Sequence, residues 1–71
     1  MLKLGKYRHY KGKDYEVVGL GKLEATLEDM VIYRPLYKSE YSLWVRPLVV
    51  FTENVEIDGK TMPRFEYTGD L

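Results

Sequence analysis

The stretch YEVVGLGKL, Tyr15 to Leu23, is rich in strand-forming residues and interrupted by glycine at positions 19 and 21. Glycine weakens a strand interior, so the pair marks a bulge or the sharp bend that a small barrel needs at its corners. The same kind of run recurs on both sides of this stretch. Upstream lies KYRHY (Lys6–Tyr10), in which Tyr7, His9 and Lys11 share one face while Arg8 and Tyr10 take the other. Downstream lie MVIYRPLY (Met30–Tyr37), LWVRP (Leu43–Pro47), then Val55–Ile57 and Arg64–Tyr67 joined through DGKTMP. Turn signals separate the runs at Lys11-Gly12-Lys13-Asp14, Lys38-Ser39-Glu40 and Asp58-Gly59. Asp-Gly is a hairpin signal, although Pro63 shortens the pairing, and Pro35 belongs at an edge or a bulge because it cannot donate to a ladder. The pattern predicts an all-β fold: a small SH3-like barrel or roll of about five strands with one short helical or 3-10 turn.

Two segments depart from strand character. KLEATLEDM carries Leu23, Leu27 and Met30 at helical spacing, but its length and the β-branched run after it favour a long hairpin loop. PLVVFTENV places Leu48, Phe51 and Val55 at i, i+3 and i+7, which suits a short helical turn.

Seventy-one residues make one domain, spanning 1–71, with no room for a second core. The absence of cysteine removes disulfides, thiolate nucleophiles, iron–sulfur clusters and zinc ribbons, and a lone histidine cannot hold a zinc ion without carboxylates. No Asp-x-Asp-x-Asp-Gly loop is present for calcium, so neither a metal nor another cofactor is expected. Stability must come from packing, to which seven Tyr, two Phe and one Trp contribute large areas. Eleven basic residues balance eleven acidic ones, which argues against a protein that coats DNA. The N-terminal stretch is broken by charges and lacks an apolar core, and no run approaches a membrane span. A soluble, cytoplasmic protein is expected, as a monomer or weak homodimer with no membrane partner.

Four fragments in order, GKYRHYKGKDYEVVG, VIYRPLY, LWVRPLVVF and VEIDGKTMPRFEY, resemble the small bacterial proteins grouped as the domain of unknown function 1653 family. The resemblance runs from about Gly5 to Tyr67. It implies a compact SH3-type β-barrel and no established activity. LEATLED departs from the resemblance, since polar and Gly residues are more usual in that loop.

Candidate chemistry is sparse. His9 with Ser39 or Ser42 as nucleophile and Asp14 as orienting group would make a small hydrolase, but no strand–turn–helix elbow surrounds either serine. A hydrogen-bonded strand histidine explains His9 equally well. Lys3, Lys6, Arg8, Lys11 and Lys13 alternate with Tyr7 and Tyr10, a pattern that suits single-stranded or modified RNA, or equally a solvated strand edge. The remaining constellation lies in the third and fourth runs. An interior built from Ile32, Leu36, Leu43 and Val45 leaves Trp44 and Arg46 on the far face. There Trp44 packs beneath the PLVVF turn or joins Arg46 in a binding surface, and Arg46 otherwise pairs with Glu53 or Glu56. Tyr37 and Tyr41 flank the turn, as rim residues or as part of a cage. Aromatic and Arg residues dominate binding hot spots, and Arg stacks on rings while its fork reaches an anion. The resulting expectation is a non-catalytic module that binds a small anionic ligand or peptide through Tyr7, His9, Tyr33, Arg34, Trp44, Arg46 and Arg64.

Overall fold

A strand does form over the glycine-interrupted stretch, from Asp14 to Leu23 (β2), and its register shift falls between Val17 and Gly19. Val17 pairs with Tyr33 and Gly19 with Ile32, so Val18 is the extra residue of a β-bulge. Gly21, opposite Met30, sits in regular pairing. The computed structural model describes residues 2–40 and 42–69. Around β2 they form β1 (Gly5–His9), β3 (Glu28–Pro35), β4 (Trp44–Pro47), α1 (Leu48–Phe51), β5 (Asn54–Ile57), β6 (Lys60–Pro63) and β7 (Phe65–Gly69). The all-β expectation holds, as does the short helical turn. Five strands form an antiparallel sheet in the order β4-β3-β2-β1-β7, and β5 and β6 form a separate hairpin. The sheet is an open roll with β4 and β7 as its edges, not a closed barrel.

The turns follow their residue chemistry. Asp58 (φ 53°) and Gly59 (φ 79°) both adopt the left-handed conformation that a two-residue hairpin turn requires. The hairpin closes onto Lys60–Pro63, inside the segment expected to be its connection. The run expected as its second strand instead becomes β7 and pairs with β1. KLEATLEDM forms a tight hairpin turn over residues 24–27 rather than a long loop, because Glu28 and Asp29 already extend β3. The Leu27 N–H donates to the Leu23 carbonyl at 2.7 Å, and Leu27 itself is left-handed at φ 62°.

The core lies on one face of the sheet. Buried Tyr7, Val17, Val31, Tyr33 and Phe65 project from four strands, and Phe51 covers them from α1. The Phe51 and Phe65 rings stack with centroids 4.1 Å apart and planes 4° from parallel. Tyr7 and Tyr33 each meet the Phe51 ring edge-on at 5.4 Å. Four residues cannot hold a helix alone, so α1 exists because Phe51 is anchored.

This arrangement inverts the face expected for the third and fourth runs. Cross-strand partners share a face, and Tyr33 pairs with Trp44 and Val31 with Arg46. Trp44 and Arg46 therefore project on the core side, while Ile32 and its partner Val45 (58% exposed) face outward. Among the described residues the interior is predominantly aromatic, and the aliphatic set Ile32, Leu36, Leu43 and Val45 lies outside it.

Candidate functional site

At the end of the sheet where β1 and β2 meet, aromatic side chains continue beyond the buried core toward solvent. Tyr15 lies on the core side, opposite both Tyr7 and Pro35. Its ring meets Tyr33 at 5.4 Å, Phe65 at 5.7 Å and Tyr37 at 5.5 Å, and its hydroxyl shares a 2.8 Å hydrogen bond with that of Tyr37. Burial, and next the hydrogen bond to Tyr37, raise the Tyr15 phenol well above its ordinary value. The Lys13 ammonium stands over the Tyr37 ring at 4.6 Å.

His9 ends β1 directly opposite Phe65, with ring centroids 4.9 Å apart, and Tyr10 flanks it at 4.5 Å. The turn after β1 fixes its tautomer. Gly12, at φ +100°, lets the chain reverse so that the Gly12 N–H reaches the His9 carbonyl at 2.7 Å. The Lys11 N–H then donates to His9 Nδ1 at 3.1 Å. A backbone N–H can only donate, so Nδ1 is the acceptor and the neutral ring carries its proton on Nε2. Partial burial lowers the His9 pKa from its ordinary value, and the positive charges of Arg46, Lys11 and Arg64 lower it further.

Arg46 projects from β4 above the same rings. Its Nε donates to the Tyr33 hydroxyl at 3.2 Å, and its guanidinium carbon stands 5.5 Å from the centroid of Phe65. Phe51 covers one face of Phe65, which leaves the opposite face for Arg46. Arg64 lies between the hairpin and β7, tied to the main sheet by its carbonyl, which accepts from the Tyr10 N–H at 3.0 Å. Its Nη2 donates to Glu53 Oε1 at 2.9 Å, while its Nε is buried with no hydrogen-bond partner. Arg8 pairs with Asp14, Arg34 with Glu16 and Arg64 with Glu53. Arg46 is thus the one arginine among the described residues that lacks a carboxylate, and neither Glu53 nor Glu56 fills that role.

The expected site residues separate accordingly. His9, Tyr33, Trp44, Arg46 and Arg64 gather on or beside the core face, with Trp44 (39% exposed) on the edge strand. Tyr7 is a core residue whose hydroxyl donates to the Lys3 carbonyl at 2.7 Å, so its ring is not part of a surface. Arg34 lies on the opposite face, paired there with Glu16. Tyr41 lies outside the described residues. Tyr15 and Phe65 belong to the site without having been singled out. Their signal was parity, since Tyr15 and Val17 share a face, but only the register shows that this face is interior.

Asp14, expected to orient His9 in a hydrolase, bonds instead to Arg8 Nε at 2.9 Å and lies near Lys6 Nζ at 3.8 Å. Its hydrogen bond to Arg8, and next the Arg8 charge, hold its carboxyl below the usual range. The same contacts engage two of the basic residues of the first strand. No group of three or more metal-ligating side chains occurs among the described residues, and no helix there is long and apolar enough to cross a membrane.

Residues 5–67 match the family described as protein of unknown function (DUF1653). No curated protein matches the chain. A crystal structure of a DUF1653 protein from Bordetella bronchiseptica superposes with a TM-score of 0.92 at 35% sequence identity. The superposition covers 99% of this chain and 91% of that one. The matched segment contains every residue of the aromatic and arginine cluster, and the chain belongs to the DUF1653 family.

Proposed function

We propose that the protein is a non-catalytic binding module that holds a small anionic ligand on the aromatic face around Arg46. The observation that carries this reading is the state of that guanidinium. It is positioned by the Tyr33 hydroxyl and the Phe65 ring, yet no carboxylate among the described residues meets it. Arginine held this way keeps its Nη groups available to an oxyanion, and the nearby rings supply flat apolar contacts for the rest of a ligand. The exposed Trp44 ring extends that platform along β4. A cytoplasmic setting belongs to the same proposal and is consistent with a cysteine-free chain.

The test is NMR of the arginine Nε–Hε signals during titration with benzoate, phenyl phosphate, neutral benzamide and cationic benzylamine. The anions are expected to shift Arg46 at millimolar concentration, the other two to leave it in place, and Arg46→Gln to abolish the response. An Arg46 signal indifferent to both anions would refute the reading.

A further inference from the structure

The cluster also restricts which anion it suits. We propose that this face takes a phosphate monoester, gripped jointly by the Arg46 guanidinium and His9 Nε2 with Arg64 beside them; this rests on the anion reading above.

Donor supply points first in this direction. Arg46 has its Nε engaged by the Tyr33 hydroxyl, so the side-on fork that grips a planar carboxylate is half occupied while both Nη groups remain. His9 has Nδ1 engaged by the Lys11 N–H, which leaves Nε2 as its remaining donor. Both groups rest against the Phe65 ring, at 5.5 Å and 4.9 Å from its centroid. Arg64 stands near enough for its charge to act on His9, while its Nη2 donates to Glu53. Donors from two strands, with a third cation beside them, suit a tetrahedral group with several oxygens better than a flat carboxylate.

Charge points the same way. Arg46, Lys11 and Arg64 all act on His9, and Glu53 offsets only Arg64. Tyr10 and Tyr15 pack their rings beside the imidazole. Arg8 and Glu66 line a cleft next to His9, and with Lys6 and Asp14 they make two cations and two carboxylates that sum to zero. The surplus of two positive charges matches a monoester, which carries about −1.5 to −2 at neutral pH. A phosphodiester carries a single charge per group, so a nucleic-acid backbone leaves part of the surplus unmet.

Proton uptake follows from the same geometry. The free protein holds His9 neutral against three cations, and a bound dianion offsets them, so binding draws a proton onto the ring. The His9 titration midpoint therefore rises on binding.

The experiment follows the His9 ring and Arg46 Nε–Hε signals by NMR with phenyl phosphate, diphenyl phosphate and benzoate. Phenyl phosphate is expected to bind about tenfold or more tightly than the other two, and to raise the His9 midpoint. His9→Gln should erase that preference. Equal affinity for the three anions, or an Arg46 shift with the His9 midpoint unmoved, would overturn the monoester proposal and leave the anion reading standing. No response to any of them would remove both. The wild-type His9 titration decides the matter even if the His9→Gln chain fails to fold.

Discussion

Replacing Phe51 by Ala tests whether one aromatic side chain holds the helix to the sheet. The ring is 1% exposed, stacks on Phe65, and meets Tyr7 and Tyr33 edge-on. Removing a buried Phe side chain costs about 3–5 kcal/mol through lost transfer energy and the cavity left behind. Aromatic pairs add about 0.5–1.5 kcal/mol beyond area burial, which favours the upper half of that range. At about 0.05–0.15 kcal/mol per residue, a chain of this size has roughly 4–11 kcal/mol in total. The substitution therefore removes a third or more of the stability of the fold. Urea denaturation followed by tyrosine fluorescence measures the loss, with Phe51→Leu as a milder point at about 1–2 kcal/mol. Hydrogen exchange adds a local readout. The Thr52 N–H, bonded to the Leu48 carbonyl at 3.0 Å, should lose protection before the amides of β2 and β3. A loss below about 1 kcal/mol for Phe51→Ala would mean that the aromatic core tolerates a hole that close packing forbids.

Other substitutions probe different forces. Leu27 is left-handed and 68% exposed, so Leu27→Gly relieves strain at little cost in burial and should stabilise by about 0.5–1 kcal/mol, read as a higher melting temperature. Tyr15→Phe removes the hydroxyl that bonds Tyr37 and should cost about 1 kcal/mol, while deleting a late-titrating tyrosine from an alkaline ultraviolet titration. His9 gives a pH signature. Its folded pKa lies below the ordinary 6.5, so the unfolded chain binds more protons around that value, and stability is present above it and lost as pH falls below it. Urea midpoints at about pH 7.5 and about pH 5.5 should therefore differ, with His9→Gln reducing the difference.

Local chemistry was legible in the sequence wherever one residue type decides the backbone. Gly19 announced the bulge in β2, Asp58-Gly59 the hairpin turn, and the spacing of Leu48 and Phe51 the short helix. The DUF1653 resemblance, carried by four ordered fragments, held across the matched residues. Parity across the sheet was not legible. Aliphatic Ile32 and Val45 look like core beside Tyr33 and Trp44, and nothing within either strand says which alternate set points inward. That choice depends on register with β2, where the bulge shifts the pairing by one residue. The candidate site inherited the uncertainty, so Arg34 was grouped with Arg46 although opposite faces separate them. The engagement of Asp14 by Arg8 was also hidden, since it depends on β1 lying antiparallel to β2.

The position of β7 has a consequence for the order in which the molecule assembles. The final strand pairs with the first, and the Thr68 hydroxyl donates to the Lys6 carbonyl across 62 positions of sequence. β2 and β3 are joined by a tight turn and β4 follows in the sheet, so these three strands need only local contacts to meet. The contacts of β7 require the largest loop closure among the strand pairings, so they are expected to form late. Until β7 docks, one edge of β1 and the side of Phe51 that stacks on Phe65 lack their partner. Phe65 sits on that strand, beneath Arg46 and beside His9. The aromatic and arginine face therefore comes into being only once β7 docks, and no folding intermediate that lacks β7 can display it.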